Sequence, residues 1–153
     1  MARSYGQQAY ASGGFRSFGG TAQASLYVLR NETTNSAMTE LFLDGQFGDQ
    51  RMKIPAGSTW VFEVLVVART QDPGGIGPVA MSAGFRIRGV IQNDGGGTTM
   101  YGASGEPLYR ADNSWNVWAI EDDTHDALTI VVQGGSRPMR WVATVRTSEV
   151  MFQ

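Results

Sequence analysis

The sequence predicts an all-β protein, an antiparallel β-sandwich of about nine strands with jelly-roll-like topology. From Thr21 onward, apolar and polar residues alternate with the period of two that half-buried strands show. The chain has 20 glycines and 5 prolines, and many of them lie in short polar segments that suit tight turns. Its hydrophobic content of 42% supports a core, and no segment combines helical periodicity with a capping residue.

The first three predicted strands are short and end at turn-forming sequences. Segment 25–30 alternates apolar residues on both faces, and the apolar segment 40–44 leads into the turn sequence DGQFGDQ. Segment 51–54 alternates two cations with Met52 and Ile54. The sequence PAGS follows, and a turn is expected there because proline fixes φ and glycine permits a positive φ.

Segment 59–69 is the strongest predicted strand. Trp60 and Phe62 belong to one face, and Val61 and Leu65 belong to the other. Both faces are largely apolar, which indicates a central strand covered on both sides. Its enrichment in β-branched and aromatic residues favours a strand over a helix of the same length.

The remaining predicted strands are separated by glycine-rich or acidic turn sequences. Segment 85–92 alternates and ends at NDGGG, which is a hairpin-type turn. Segments 98–101 and 107–110 are short, and they are predicted to be edge strands. The chain closes with predicted strands at 115–120, 127–132 and 140–150.

Two of the four tryptophans are predicted core residues. Trp60 and Trp141 each lie on the apolar face of a long strand. Trp115 and Trp118 belong to opposite faces of one strand, so one of them can be exposed. An exposed indole combines a large apolar ring with a polar N–H, which suits stacking on a sugar ring.

Residues 1–20 differ from the rest and predict a flexible or docking N-terminal arm ahead of a sandwich domain at 21–153. They combine Gly, Ser, Ala and Gln with spaced aromatics, and they lack the apolar density to fold alone. A flexible tail and an arm that anchors on a partner or sister subunit both remain open. The candidate anchors are Tyr5, Tyr10, Phe15 and Phe18.

Composition excludes several classes of function. The net charge of −2 argues against general nucleic-acid binding, which needs a basic face. The chain has no cysteine, so disulfides and thiolate metal sites are excluded. The longest apolar stretch is too short to cross a bilayer, and the N-terminus has no apolar signal segment. We therefore expect no nucleic acid partner, no membrane insertion and no secretory signal.

The sequence offers few groups for catalysis. His125, the one histidine, lies in EDDTHDAL, where polar residues make a hairpin turn between two predicted strands. The acidic cluster at 121–126 lacks the spacing and central glycine of a calcium loop. Glu63 could act with a second carboxylate, but nothing in the sequence selects one. We predict that the protein is not an enzyme and has no catalytic residue, cofactor or metal site.

Four arginines on predicted strands are candidate contacts with a partner or another subunit. Arg86 and Arg88 share one face of a strand, and Arg140 and Arg146 share one face of another. A solvated sheet face with cross-strand glutamate partners is one interpretation. The other is a functional surface, either a subunit interface, where arginine is enriched and forms bidentate pairs, or a surface for anionic glycan.

Five stretches together cover most of the chain from about residue 12 to 150, namely 12–45, 51–70, 83–99, 111–134 and 140–150. The most specific pieces are the TELFLDG segment, the STW strand opening and the terminal RWVATVRT. In this order they resemble a domain of tailed-bacteriophage virion proteins, commonly near the C-terminus of tail fibre proteins. No catalytic motif accompanies this resemblance, so it transfers no site residue.

The resemblance implies a non-enzymatic virion structural protein. We expect a homotrimeric, surface-exposed tail fibre or receptor-binding component that serves host attachment, with other virion proteins and host-surface glycan as candidate partners. One alternative is a capsid decoration protein that clamps the head through its N-terminal arm. An alternative of another class is a glycan-binding or glycan-active protein.

Overall fold

A computed structural model describes residues 1–15, 19–45, 48–72 and 79–152, which form two antiparallel sheets. The described ranges contain no helix, and hence none long and apolar enough to cross a membrane. The predicted all-β antiparallel sandwich is therefore confirmed. The strands in these ranges are β1 (Gln8–Tyr10), β2 (Ala22–Thr33), β3 (Met38–Leu41), β4 (Met52–Lys53), β5 (Ser58–Thr70), β6 (Ser82–Asn93), β7 (Thr98–Arg110), β8 (Asn116–Asp122), β9 (Ala127–Gln133) and β10 (Met139–Met151).

The structure gives the strand order, which the sequence alone does not fix. The larger sheet has six strands in the order β1-β2-β10-β5-β6-β7. In the smaller sheet, β9 pairs with β3, β4 and β8. The meander β5-β6-β7 stays within one sheet, and a jelly-roll strand order is not confirmed. The long C-terminal strand β10 lies between β2 and β5 and pairs with both. It therefore lies near the centre of the sheet, next to a strand from the N-terminal part of the chain.

The core lies between the two sheets and contains the predicted tryptophans. Trp60 and Trp141 are 2% and 0% exposed, which confirms their predicted burial. Trp60 stacks on Tyr27 with ring centroids 6.0 Å apart, and Trp141 stacks on Phe85 at 6.4 Å. The Trp141 Nε1 donates a hydrogen bond to Thr33 Oγ1 at 2.9 Å. The buried indole N–H therefore has a hydrogen-bond partner, and its burial does not cost the free energy of an unpaired polar group.

The strand β7 is continuous, where the sequence predicts two short edge strands. Its segment 102–105 consists of glycine, alanine and serine, residues that are typical of turns. These residues nevertheless pair with β6, with register shifts at Gly84/Phe85 and Val90/Ile91. Tertiary pairing thus overrides local turn preference, and the two predicted segments are one strand of 13 residues.

The strand β5 is central, as predicted, yet only one of its faces is covered. Its inward side chains are buried, whereas Val61, Leu65 and Val67 are 56%, 52% and 56% exposed. The prediction of cover on both faces is therefore wrong for this chain, because the smaller sheet packs on one side of the larger one. An apolar surface remains open at the centre of the six-stranded sheet.

Candidate interaction surface

The surface with the most distinctive chemistry is the side of the larger sheet that points away from the core. We define the outer face as the outward-pointing residues of the adjacent strands β2, β10, β5 and β6. Along each strand these residues alternate with buried ones, as the period of two requires. The outer face therefore belongs to strands and not to loops.

The register brings the apolar residues of the outer face together. Val142 of β10 lies opposite Val67 of β5. In the next row, Thr144 of β10 lies between Val28 of β2 and Leu65 of β5. Val28 is 48% exposed and Val142 is 39% exposed. These residues form one contiguous apolar patch across the three strands at the centre of the sheet.

Charged residues surround this patch, and arginine dominates them. All four arginines singled out by the sequence analysis lie on the outer face, although they come from two different strands. Two further arginines and two glutamates complete the set. The charged residues of the outer face are Arg30, Arg69, Arg86, Arg88, Arg140, Arg146, Glu32 and Glu63.

Two of these arginines are paired within the chain. Arg86 donates from Nε to Glu63 Oε1 at 2.7 Å and has Nη2 2.5 Å from the same oxygen. Arg140 donates from Nε to Glu32 Oε2 at 3.2 Å. Exposed pairs of this kind contribute only about 0–1 kcal/mol to folding. Glu63 thus lies against an arginine, and not against a second carboxylate as a glycosidase pair would need.

Three other arginines of the outer face are free. Arg69, Arg88 and Arg146 have no ion pair or hydrogen bond within the described part of the chain. Arg88 and Arg146 are both register neighbours of Glu63, whose contact is with Arg86. The outer face thus presents guanidinium groups that can still take a carboxylate or another anion.

The structure places part of the predicted arm at the edge of the larger sheet. The three-residue strand β1 pairs with β2, and Gln7 Nε2 donates a hydrogen bond to Ser25 Oγ at 2.8 Å. Three of the four candidate aromatic anchors are exposed, Tyr5 by 59%, Tyr10 by 73% and Phe15 by 61%. The fourth, Phe18, lies outside the described residues. The described aromatics are therefore available to a partner.

The structure brings His125 together with Asp122 inside the β8–β9 turn. The His125 Nδ1 lies 2.7 Å from an Asp122 carboxylate oxygen, and Arg51 lies 3.6 Å from the same carboxylate. Partial burial raises the pKa of Asp122, but hydrogen bonds from His125 and Thr124 outweigh it and hold the pKa below its ordinary value. The described residues contain no group of three or more His, Asp and Glu that could hold a metal ion.

A groove of about 250 Å³ lies between the edge strand β7 and β8. Phe85, Ile87, Gly105 and Trp118 are among the residues that line it. Trp118 is partly exposed, whereas Trp115 is 2% exposed, so one of the two tryptophans of this segment does reach the surface. Trp118 is therefore the indole of this chain that a sugar ring could reach.

The sequence reasoning missed the apolar patch because it took Leu65 and Val67 for buried residues. The exposure of these residues follows from the strand pairing, which the sequence does not give and which places cations of the neighbouring strands on the same face. Arg86 lies opposite Leu65. Arg146 lies opposite Glu63, which precedes Leu65 by two residues on the same face. A sheet face that carries charges on three adjacent strands is not the face of a domain core.

Comparison with known proteins gives no family. No family model matches the chain, and no curated protein matches it. Among solved structures, it is similar to the tailspike protein gp49 of Acinetobacter baumannii bacteriophage Fri1, a capsular polysaccharide depolymerase. The TM-score is 0.39 with 9% identity, over 86% of this chain and 20% of that chain.

A second solved structure gives a similar result. The Acinetobacter baumannii phage AM24 tailspike protein matches with a TM-score of 0.35 and 10% identity, over 79% of this chain and 26% of that chain. This chain thus spans about a fifth to a quarter of the two tailspikes. Likenesses of this size define neither the fold nor the function of the chain.

Proposed function

We propose that the protein is a non-enzymatic structural component of a tailed-bacteriophage virion, a trimeric tail fibre or receptor-binding part exposed on the particle. The observation that carries this proposal is the outer face, a central sheet surface with apolar side chains ringed by arginines. A surface of this kind is typical of proteins that work by association. The sequence resemblance to tail fibre domains supports a phage tail as the assembly in which the protein associates.

The rigidity of the domain also suits a part that is exposed on a particle. Strands β2, β5, β6 and β10 each have 12 or 13 residues and pair along almost their whole length. Nearly all backbone polar groups in their shared ladders are therefore hydrogen-bonded to one another. Local opening of such a sheet is unfavourable, and protease access is correspondingly low.

Removal of residues 1–20 is expected to leave folding stability nearly unchanged while abolishing incorporation into particles. The described residues of this segment contribute no side chain to the buried core, and β1 is a short edge strand. Their exposed aromatics are instead free to dock on a neighbouring virion protein. Denaturation curves and antibody detection on purified phage particles, for the full and the shortened chain, measure both effects.

The outcome of this experiment separates the two virion roles. Labelling at the tail supports the fibre role, and labelling over the whole head would favour a decoration protein. A full-length chain that is absent from particles contradicts the proposal. A large loss of stability on shortening would show instead that the arm belongs to the folded domain.

A glycan-binding or glycan-active protein is the second candidate, and the partly exposed Trp118 beside the groove favours it. We expect no turnover of host envelope polysaccharide. His125 contacts Asp122 in an exposed turn, and Glu63 contacts arginine, so neither forms an acid–base pair of the kind glycan hydrolysis uses. Release of reducing ends should stay at the level of a blank, in parallel with the His125→Ala variant. Steady release by the wild type that the variant loses would overturn the prediction.

A further inference from the structure

We infer that the outer face is a contact between copies of this chain, and that it meets a different, acidic surface of the next copy. This deepens the proposed function by naming the partner of the outer face, and it rests on that function for the expectation that copies assemble. Three properties of the outer face lead to it, namely its apolar patch, its area and its charge.

The apolar patch occupies positions that carry polar side chains in a sheet face that contacts only water. Leu65 and Val67 are each more than half exposed on the central strand β5. Val28 and Val142 extend the patch over β2 and β10. A one-sided antiparallel sheet typically alternates apolar inward and polar outward. The outer face breaks this alternation in the apolar patch, and the charged residues around the patch resemble the polar rim of a protein interface.

The outer face also has the area that a stable contact needs. Its four strands lie about 4.8 Å apart and rise about 3.3 Å per residue. Strands of 12 to 13 residues therefore give a surface of roughly 760 Å². A standard specific interface buries about 800 Å² on each partner. The outer face is thus about as large as one side of such an interface.

The charge of the outer face determines which surface of the neighbouring copy it contacts. The outer face carries six arginines and two glutamates, a charge of +4, in a chain whose net charge is −2. The rest of each copy therefore carries −6. Two outer faces packed against each other would bring like charges together, which costs several kcal/mol at an interface. Contact with an acidic surface of the next copy instead gives partners to the free Arg69, Arg88 and Arg146.

The most acidic part of that remaining surface is the β8–β9 turn. It holds Glu121, Asp122, Asp123 and Asp126, and both Glu121 and Asp126 are exposed. A contact between two different patches is heterologous, and it closes into a ring when the rotation between copies permits. A ring of three copies satisfies both this charge pattern and the proposed trimer.

The test compares Leu65→Glu with the matched control Met38→Glu. Leu65 is 52% exposed on the outer face, and Met38 is 57% exposed at the start of β3 in the other sheet. Leu65→Glu should raise the dissociation constant of the assembly at least about 30-fold, as loss of an interface hot spot does. Met38→Glu should leave it unchanged. Light scattering across a concentration series, with thermal unfolding to verify folding, measures the effect.

Folding should survive the test substitution, because Leu65 already faces solvent and lies opposite Arg86. The wild type should scatter as three chains and dissociate as salt rises from about 0.05 to 0.5 M, since charge attraction is screened over that range. A wild type that is monomeric at every concentration, a salt-insensitive dimer, or a Leu65→Glu variant that assembles normally would each overturn the inference. A salt-sensitive trimer that is absent from phage particles would leave the inference standing and refute the proposed function.

Discussion

Replacing Trp141 with alanine is expected to yield mostly unfolded, insoluble protein. The side chain is fully buried, stacks on Phe85 and donates a hydrogen bond to Thr33. Truncation of a buried tryptophan removes about 3–5 kcal/mol, in part through the cavity it leaves. A domain of this size has about 5–15 kcal/mol in total. The substitution also leaves Thr33 Oγ1 without its indole partner.

Trp60→Ala should have a similar effect, because Trp60 fills the other end of the core beside Tyr27. The matched control is Trp118→Ala, which makes the same change at a partly exposed indole and should shift stability little. Yield of soluble protein and urea midpoints measure all three variants. Curves close to wild type for both Trp60→Ala and Trp141→Ala would refute the strand assignments of β5 and β10.

A single added methyl group at Gly89 is expected to have the second large effect. A Cβ at this position would overlap the carbonyl oxygen of Gly102 on β7 and the ring of Phe62. Forcing extra volume into a packed site costs about 1–3 kcal/mol or more, and here one of the obstacles is backbone. Gly89→Ala should therefore lower the free energy of unfolding by at least that amount.

Gly102, whose carbonyl oxygen a Cβ at Gly89 would overlap, provides the control for this prediction. A Cβ at Gly102 meets nothing within 4 Å, so Gly102→Ala should be neutral or stabilise the protein by about 0.4–1 kcal/mol through the unfolded chain. Both variants add one methyl group to a glycine. Gly89→Ala is predicted to lower the unfolding midpoint, and Gly102→Ala is predicted to leave it unchanged or raise it. Equal midpoints would contradict the close approach of β6 and β7.

The sequence was sufficient to predict the class of fold and the burial of Trp60 and Trp141. The period of two around Trp60 and around Trp141 assigns each tryptophan to an inward face without knowledge of the strand order. The same period places Arg86 and Arg88 together. Local alternation is a property of one strand, so it can be read from one segment of sequence.

The features that depend on pairing between distant segments could not be predicted. The strand β7 is continuous because it pairs with β6. The glycine-rich sequence of segment 102–105 does not predict this pairing. That Arg88 and Arg146 flank the same glutamate requires β5 to lie between β6 and β10. The openness of the outer face likewise depends on where the smaller sheet packs. An apolar residue such as Val67 has the same sequence signature whether its own domain or a partner covers it.

The number of copies per phage particle tests the central claim most directly. Quantitative mass spectrometry of purified particles, calibrated against the major capsid protein, would count the chain. A tail fibre component that assembles in threes should be present in a small multiple of three copies. Hundreds of copies would assign the protein to the head as a decoration protein, and absence from purified particles would contradict its role as a virion structural protein.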